Sequence, residues 1–279
     1  MKVCKIIDES LDQREVGYLF YYENEDAFVI ELTKNLSFDE ASIFFAPFIE
    51  KGELTLDSKW SKNWVNQRIV PTDRQNLGQI LRDNKLKDYN KYRLLMLGHG
   101  RCAQDDYAVI KVEVDDVPAW VKERMKKRIE FCASISSGRV VTIFNDGTIR
   151  IFDVQRVCLD ETNEDSSKRD TAKENAASEE LTSEAVRLAP CGVAINIGKS
   201  TSISAREIYE NTKPLPLSRE DLRTLMSQYV VDTKDVCEEL GCSRQYVHQL
   251  TQNDELVAFK EDTKTTLYTK SDIKRLQER

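Results

Sequence analysis

The chain has 279 residues, 40% hydrophobic and 32% charged, which is enough for two or three domains with cores of their own. No apolar run approaches the roughly 20 residues that span a bilayer, and MKVCKIIDES has neither an apolar signal core nor a small-residue cleavage site, so a bacterial cytoplasmic protein without a membrane partner is expected. The net charge of -7 is set by one segment: residues 160–184 hold nine acids and three bases, a net of -6, leaving -1 for everything else.

Cys4, Cys102, Cys132, Cys158, Cys191, Cys237 and Cys242 stand without a C-x-x-C pair, so reduced thiols are expected and not a disulfide framework. With His99 and His248 the only histidines, no zinc spacing occurs, and neither a metal nor a cofactor is assigned.

In chain order, VGYLFYYENEDAFVIEL predicts two strands around a polar turn at Asn24 to Asp26. Ser37 and Glu40 form a capping box, so a helix is expected over FDEASIFFAPFIEK, residues 38–51. Three helical pieces follow, KWSKNWVN, DRQNLGQILRDN and YNKYRLLMLG, then a strand from Tyr107 to Val114, giving an α+β domain over residues 1–114. Trp60 and Trp64 lie four apart on one helix face and are read as core. WVNQRIVPTDRQNLGQIL followed by LLMLGHGRCAQDDYAVI resembles uncharacterised clostridial-type proteins, some encoded beside kinase-like toxins; the resemblance implies no activity.

GHGRCAQDD gathers His99, Arg101, Cys102, Asp105 and Asp106. An imidazole can activate a nearby thiol, but nothing in the sequence orients this pair, and adjacent carboxylates in a strand point to opposite faces. A glycine-bounded turn is expected there. As no phosphate-binding glycine loop is present either, no catalytic residue is assigned and the chain is not read as an enzyme.

Asp115 and Asp116 before Pro118 suit the start of a helix over AWVKERMKKRIEF, residues 119–131. Its Lys122, Arg124, Lys126, Lys127 and Arg128 are expected on a solvated face. GRVVTIFNDGTIRIFDV predicts a hairpin in which Gly147 takes positive φ. Residues 160–184 have too few apolar side chains to offset their ordering entropy and are expected to form a disordered acidic insertion. Beyond it, VRLAPCGVAINIGKSTSISAREIYEN gives short strands and a helix capped by Ser204 and Glu207. The order of an F-x-D-G turn, a following F-D, then G-x-A-I and S-I-S-A-x-E-I-Y resembles a small bacterial β-rich family of unknown function, sometimes followed by a helix-turn-helix. That resemblance implies one split domain over residues 115–213.

PLPLS at Pro214 to Ser218 breaks the chain, and Ser218 with Asp221 starts a helix, so a third domain is expected over residues 214–279. In DTKDVCEELGCSRQYVHQL, Asp232 or Thr233 can cap a first helix with Val236, Cys237 and Leu240 on one face. Gly241 ends that helix, and Ser243 caps a second in which Val247 and Leu250 turn inward. This leaves Ser243, Arg244, Gln245, Tyr246, His248 and Gln249 on an outer face with no acid from Cys242 to Gln252. Arg suits guanine, Gln suits adenine, and hydroxyls suit phosphate oxygens. Strands at Leu256 to Lys260 and Thr265 to Tyr268 follow, with Lys260 and Lys264 near their tip, then a helix capped by Thr269 and Asp272.

TKDVCEELGCSRQYVHQL followed by YTKSDIKRL resembles the excisionase and MerR-type winged helix-turn-helix family. Cys237 stands where the family keeps a small alanine and Cys242 where it keeps valine. The resemblance implies a sequence-specific binder of double-stranded DNA that reads the major groove with the helix at 244–251 and regulates transcription of its own operon or of a mobile element. Residues 232–279 carry ten acids and eight bases, a net of -2, so a homodimer presenting two helices is expected. The competing expectation is a protein-interaction adaptor or antitoxin-like partner, its winged helix serving docking and residues 1–213 meeting a protein partner.

Overall fold

A computed structural model of the chain describes residues 1–135, 138–154, 186–198, 201–260 and 265–277; the insertion expected at 160–184 lies outside them. The fold is mixed α+β, in two units: residues 1–146 with 150–213, and residues 147–149 with 214–279. Among the described residues no helix is long and apolar enough to cross a membrane.

The first unit begins with β1 (Lys2–Asp8), β2 (Arg14–Tyr22) and β3 (Ala27–Leu32). Next come α1 (Ala46–Glu50), β4 (Thr55–Leu56), α2 (Ser58–Asn66), α3 (Leu77–Asp83), α4 (Lys91–Leu97) and β5 (Tyr107–Val112). The strands form one antiparallel sheet in the order β4-β3-β2-β1-β5. The expected turn at Asn24 to Asp26 is there, closed by Asp26 in the left-handed region.

One expectation fails nearby. The capping box of Ser37 and Glu40 closes only a 3₁₀ turn over Phe38–Glu40, Ala41 is extended, and helix starts again at Ala46. Pro47 explains the break, because proline is tolerated only in a helix's first turn, so α1 cannot begin earlier.

Both faces of the sheet are covered, which is why β2 and β3 read as nearly continuous apolar runs. Leu19, Tyr21, Phe28, Ile30 and Leu32 pack with Phe45, Trp64, Val65, Tyr92 and Leu95 on one face. Tyr18, Phe20 and Val29 point to the other, where α5 (Ala119–Lys126) supplies Val121. Of the two tryptophans read as core, Trp64 is fully buried, whereas Trp60 is 43% exposed at the edge of an aromatic cluster with Phe44 and Phe48.

The helix expected over 119–131 ends at Lys126, since the β-branched and aromatic residues that follow form β6 (Ile129–Ile135), paired with β7 (Arg139–Phe144). The expectation of five solvated cations is also corrected. Arg124 and Arg128 turn inward onto Glu31, which lies on the α5 side of β3: Arg128 Nη2 donates to Oε1 at 2.7 Å, and Arg124 Nη1 stands 3.5 Å from Oε2. Arg124 also donates to the Leu32 carbonyl at 2.6 Å, and Thr55 donates to Glu31 at 2.6 Å.

The rest of the unit comprises β8 (Thr148–Asp153) from Arg150 onward, β9 (Val186–Leu188), β10 (Ala194–Ile197), β11 (Thr201–Ser204) and α6 (Ala205–Asn211). Gly147, with φ of 82°, turns the expected β7–β8 hairpin. Ser204 accepts the Glu207 amide at 3.1 Å, capping α6 as its sequence predicts. Arg150 closes the other end, donating to the carbonyls of Tyr209 and Thr212.

The second unit contains β12 (Pro214–Ser218), α7 (Arg219–Tyr229), β13 (Val230–Asp232), α8 (Thr233–Leu240), α9 (Arg244–Gln252), β14 (Leu267–Thr269) and α10 (Lys270–Gln277). Ser218 and Asp221 form a full capping box on α7. The core is Val231, Val236, Val247, Leu250, Leu256, Tyr268 and Ile273, with Cys237, Leu240, Cys242, Ala258 and Leu276 half-buried against it.

Candidate nucleic-acid interface

The pair α8 and α9 is held by local chemistry at each end. Asp232 accepts the amides of Lys234 and Asp235 at 2.7 and 3.0 Å, so it caps α8, while Thr233 donates its hydroxyl to Thr266. Those amide donors, the Asp235 amide first, hold the Asp232 carboxyl below its ordinary range. Gly241 then sits at φ 64° and ψ 31°, a conformation in which a Cβ would be strained, and the chain turns. Ser243 accepts the Tyr246 amide at 3.3 Å and starts α9.

Each face of α9 has a separate task. Val247 and Leu250 are buried, closing the core against Val236 of α8. Ser243, Arg244, Gln245, Tyr246, His248 and Gln249 are all exposed. Helical spacing puts Arg244, Gln245, His248 and Gln249 on one stripe, opposite the buried pair. Among the described residues the side chains of Arg244, Gln245, His248 and Gln249 have no hydrogen-bond partner; Arg244 contributes only its charge, which helps hold the Asp232 carboxylate ionised.

Beyond α9 the chain returns to meet β14. Phe259 donates its amide to the Leu267 carbonyl at 2.8 Å, and Leu267 returns an amide to Lys260 at 3.1 Å. β14 pairs antiparallel with β13 and meets Lys260 only through an isolated bridge, so the strand expected at Leu256 to Lys260 does not form, and Thr269 accepts the Asp272 amide to start α10. Lys260 is exposed; Lys264 lies outside the described residues.

The sequence reading omitted two neighbours, Val257 and Phe259, which are 63% and 50% exposed. Leu256 to Phe259 is an unbroken apolar run whose burial alternates: Leu256 is buried and Ala258 half-buried in the core, while Val257 and Phe259 face outward. That period of two was the available signal.

The histidine and cysteine of GHGRCAQDD do not form a reactive pair. The Cys102 thiol donates to Asp105 Oδ1 at 3.7 Å, and Asp105 Oδ2 accepts from the buried Arg68, which stacks 3.8 Å from the Trp64 ring centroid. His99 contributes its carbonyl, which accepts the Val109 amide at 2.7 Å. This is a structural turn built around an ion pair. Among the described residues no group of three His, Cys, Asp or Glu is placed to hold a metal ion.

No protein-family model matches this chain, and neither a curated protein nor a solved structure matches it.

Proposed function

We propose that this protein binds double-stranded DNA in a sequence-specific way, as a winged helix-turn-helix regulator with α9 in the major groove. The observation that carries the proposal is the division within α9: Val247 and Leu250 complete the core, while Arg244, Gln245, Tyr246, His248 and Gln249 stay exposed on a helix that itself carries no acid. A merely solvated helix has no use for that selection, whereas base edges and phosphates do. The extended segments around Lys260 serve as the wing, with Lys260 and Lys264 near phosphates. A homodimer would set two α9 helices on adjacent half-sites about 34 Å apart. Control of its own operon or of a mobile element is the corresponding cellular role.

Selection of bound duplexes from a random library tests the proposal. The expected outcome is an enriched, two-fold symmetric sequence, with Arg244→Ala weakening binding by about 1–3 kcal/mol at one base position of each half-site. Absence of any enriched duplex at low salt would sink it.

One observation favours a protein partner for the first unit. Ile43 is 92% exposed, with Phe38 and Trp60 also substantially exposed on the same unit. It is a contiguous apolar patch that marks a contact surface, and Trp60, edge-on to the half-buried Phe44 and Phe48, supplies one. An adaptor or antitoxin-like role through residues 1–213 is therefore the second reading, and it is the one left standing if no duplex is enriched.

A further inference from the structure

The end of α8 brings two thiols together. The amides of Gly241 and Cys242 both point to the Cys237 carbonyl, the second at 3.1 Å. This is the hydrogen-bonded helix stop in which the residue just past the glycine packs against the one five places before it, usually through an apolar contact. Here both members of that contact are cysteines, and both lie half-buried against the same apolar core. The other described thiols have different neighbours: Cys4 lies against Tyr92 and Met96, Cys102 against Asp105, Cys132 packs against the core around Val140, and Cys191 lies beside Glu25. Cys237 and Cys242 are free and half-buried, so a small oxidant can reach them.

We propose that Cys237 and Cys242 are an oxidation site that closes to an intramolecular disulfide across the turn between α8 and α9. The oxidant is a peroxide, hydrogen peroxide in the simplest case. One sulfur, as thiolate, attacks a peroxide oxygen; the S–O bond forms, the O–O bond breaks, and the departing oxygen leaves as water after taking a proton. The second sulfur then displaces hydroxide from the resulting sulfenic acid: the S–S bond forms, the S–O bond breaks, and a second water leaves. Two thiols lose two electrons and two hydrogens, and the peroxide becomes two waters. The 3.1 Å backbone bond from Cys242 to Cys237 already ties the two residues together across one turn, so the bridge closes within that turn. Burial, with Cys237 alongside, raises the Cys242 thiol above its ordinary range, so reaction in the resting protein is slow and needs a sustained oxidant supply.

The test uses the full chain and reads mass, so it does not depend on the DNA-binding proposal. The protein is exposed to hydrogen peroxide, blocked with N-ethylmaleimide and cut with trypsin. Cleavage after Lys234 and Arg244 releases one peptide, Asp235 to Arg244, carrying both cysteines and no other. The expected product is that peptide two hydrogens lighter and free of maleimide, returning to two maleimides when a thiol reductant precedes the block. In guanidinium the same oxidant gives bridges shared among the cysteines. Two maleimides on the peptide from native, peroxide-treated protein, or bridges from either cysteine to a different one, would overturn the inference. So would stable sulfinic acid at both positions.

Discussion

Replacing Glu31 by glutamine removes one charge and almost no volume, yet its consequence should be large. Glu31 is fully buried in β3, and two arginines depend on it: Arg128, itself buried, at 2.7 Å, and Arg124 at 3.5 Å. Stripping the charge from one side of a buried ion pair leaves an uncompensated cation in a poorly solvating interior, which costs about 3–5 kcal/mol. Two guanidiniums are left here, one of them partly solvated, so the upper part of that range applies. A loss of this size shifts the melting of a unit this large by on the order of 10 °C. Trp60, Trp64 and Trp120 are the only tryptophans, and all lie in the first unit, so intrinsic fluorescence follows that unit alone. Urea melts of the Glu31→Gln protein should show the loss, and adding Arg128→Met should recover at least half of it, since an apolar side chain needs no counter-charge. A loss below about 1 kcal/mol, the value of an exposed pair, would refute a buried, charge-dependent cluster.

Gly241→Ala places a Cβ at φ 64° and should loosen the turn by about 1–2 kcal/mol, seen as faster amide exchange across residues 233–252; unchanged exchange would contradict the left-handed turn. Arg14 and Ser37 hold the Glu40 carboxyl down at about 2 from 4.5. Because the folded value is the lower one, this contribution to stability is present above pH 4.5 and is lost as pH falls toward 2. Arg14→Ala should move the Glu40 titration, followed by carboxyl NMR, back toward 4.5.

Local signals were legible wherever one stretch of chain determines its own geometry. The caps at Ser204, Ser218 and Ser243, the glycine turns at Gly147 and Gly241, and the inward set Val236, Val247 and Leu250 all follow from spacing. Failures came where distant residues decide. Nothing within AWVKERMKKRIEF tells that its end will pair with Arg139–Phe144, so helical periodicity was carried too far. Arg124 and Arg128 read as solvated because their partner lies in β3, more than ninety positions away. A trace of that partnership was present: Glu31 is the lone acid in AFVIEL, and a carboxylate in a strand buried on both faces requires a cation. On α9 the sequence specified which residues are free, because that depends only on helical period. What they touch is a property of a second molecule.

The charge of the second unit sharpens the expected behaviour on DNA. Residues 232–279 carry a net of -2, so under the proposed DNA binding nonspecific attraction to phosphate would be weak and discrimination would come from the base edges that α9 meets. The proposal sets Arg244 on a base and leaves Lys260 and Lys264 for phosphates. At roughly 0.9 counterion per neutralised phosphate, one copy gives a slope of log K against log salt near -2, and a dimer one near -4. Titrations of the selected duplex across a range of potassium chloride concentrations measure this directly. A slope near -10 would require about eleven phosphate contacts; two copies of this face cannot supply them, and the basic surface responsible would have to lie elsewhere on the chain.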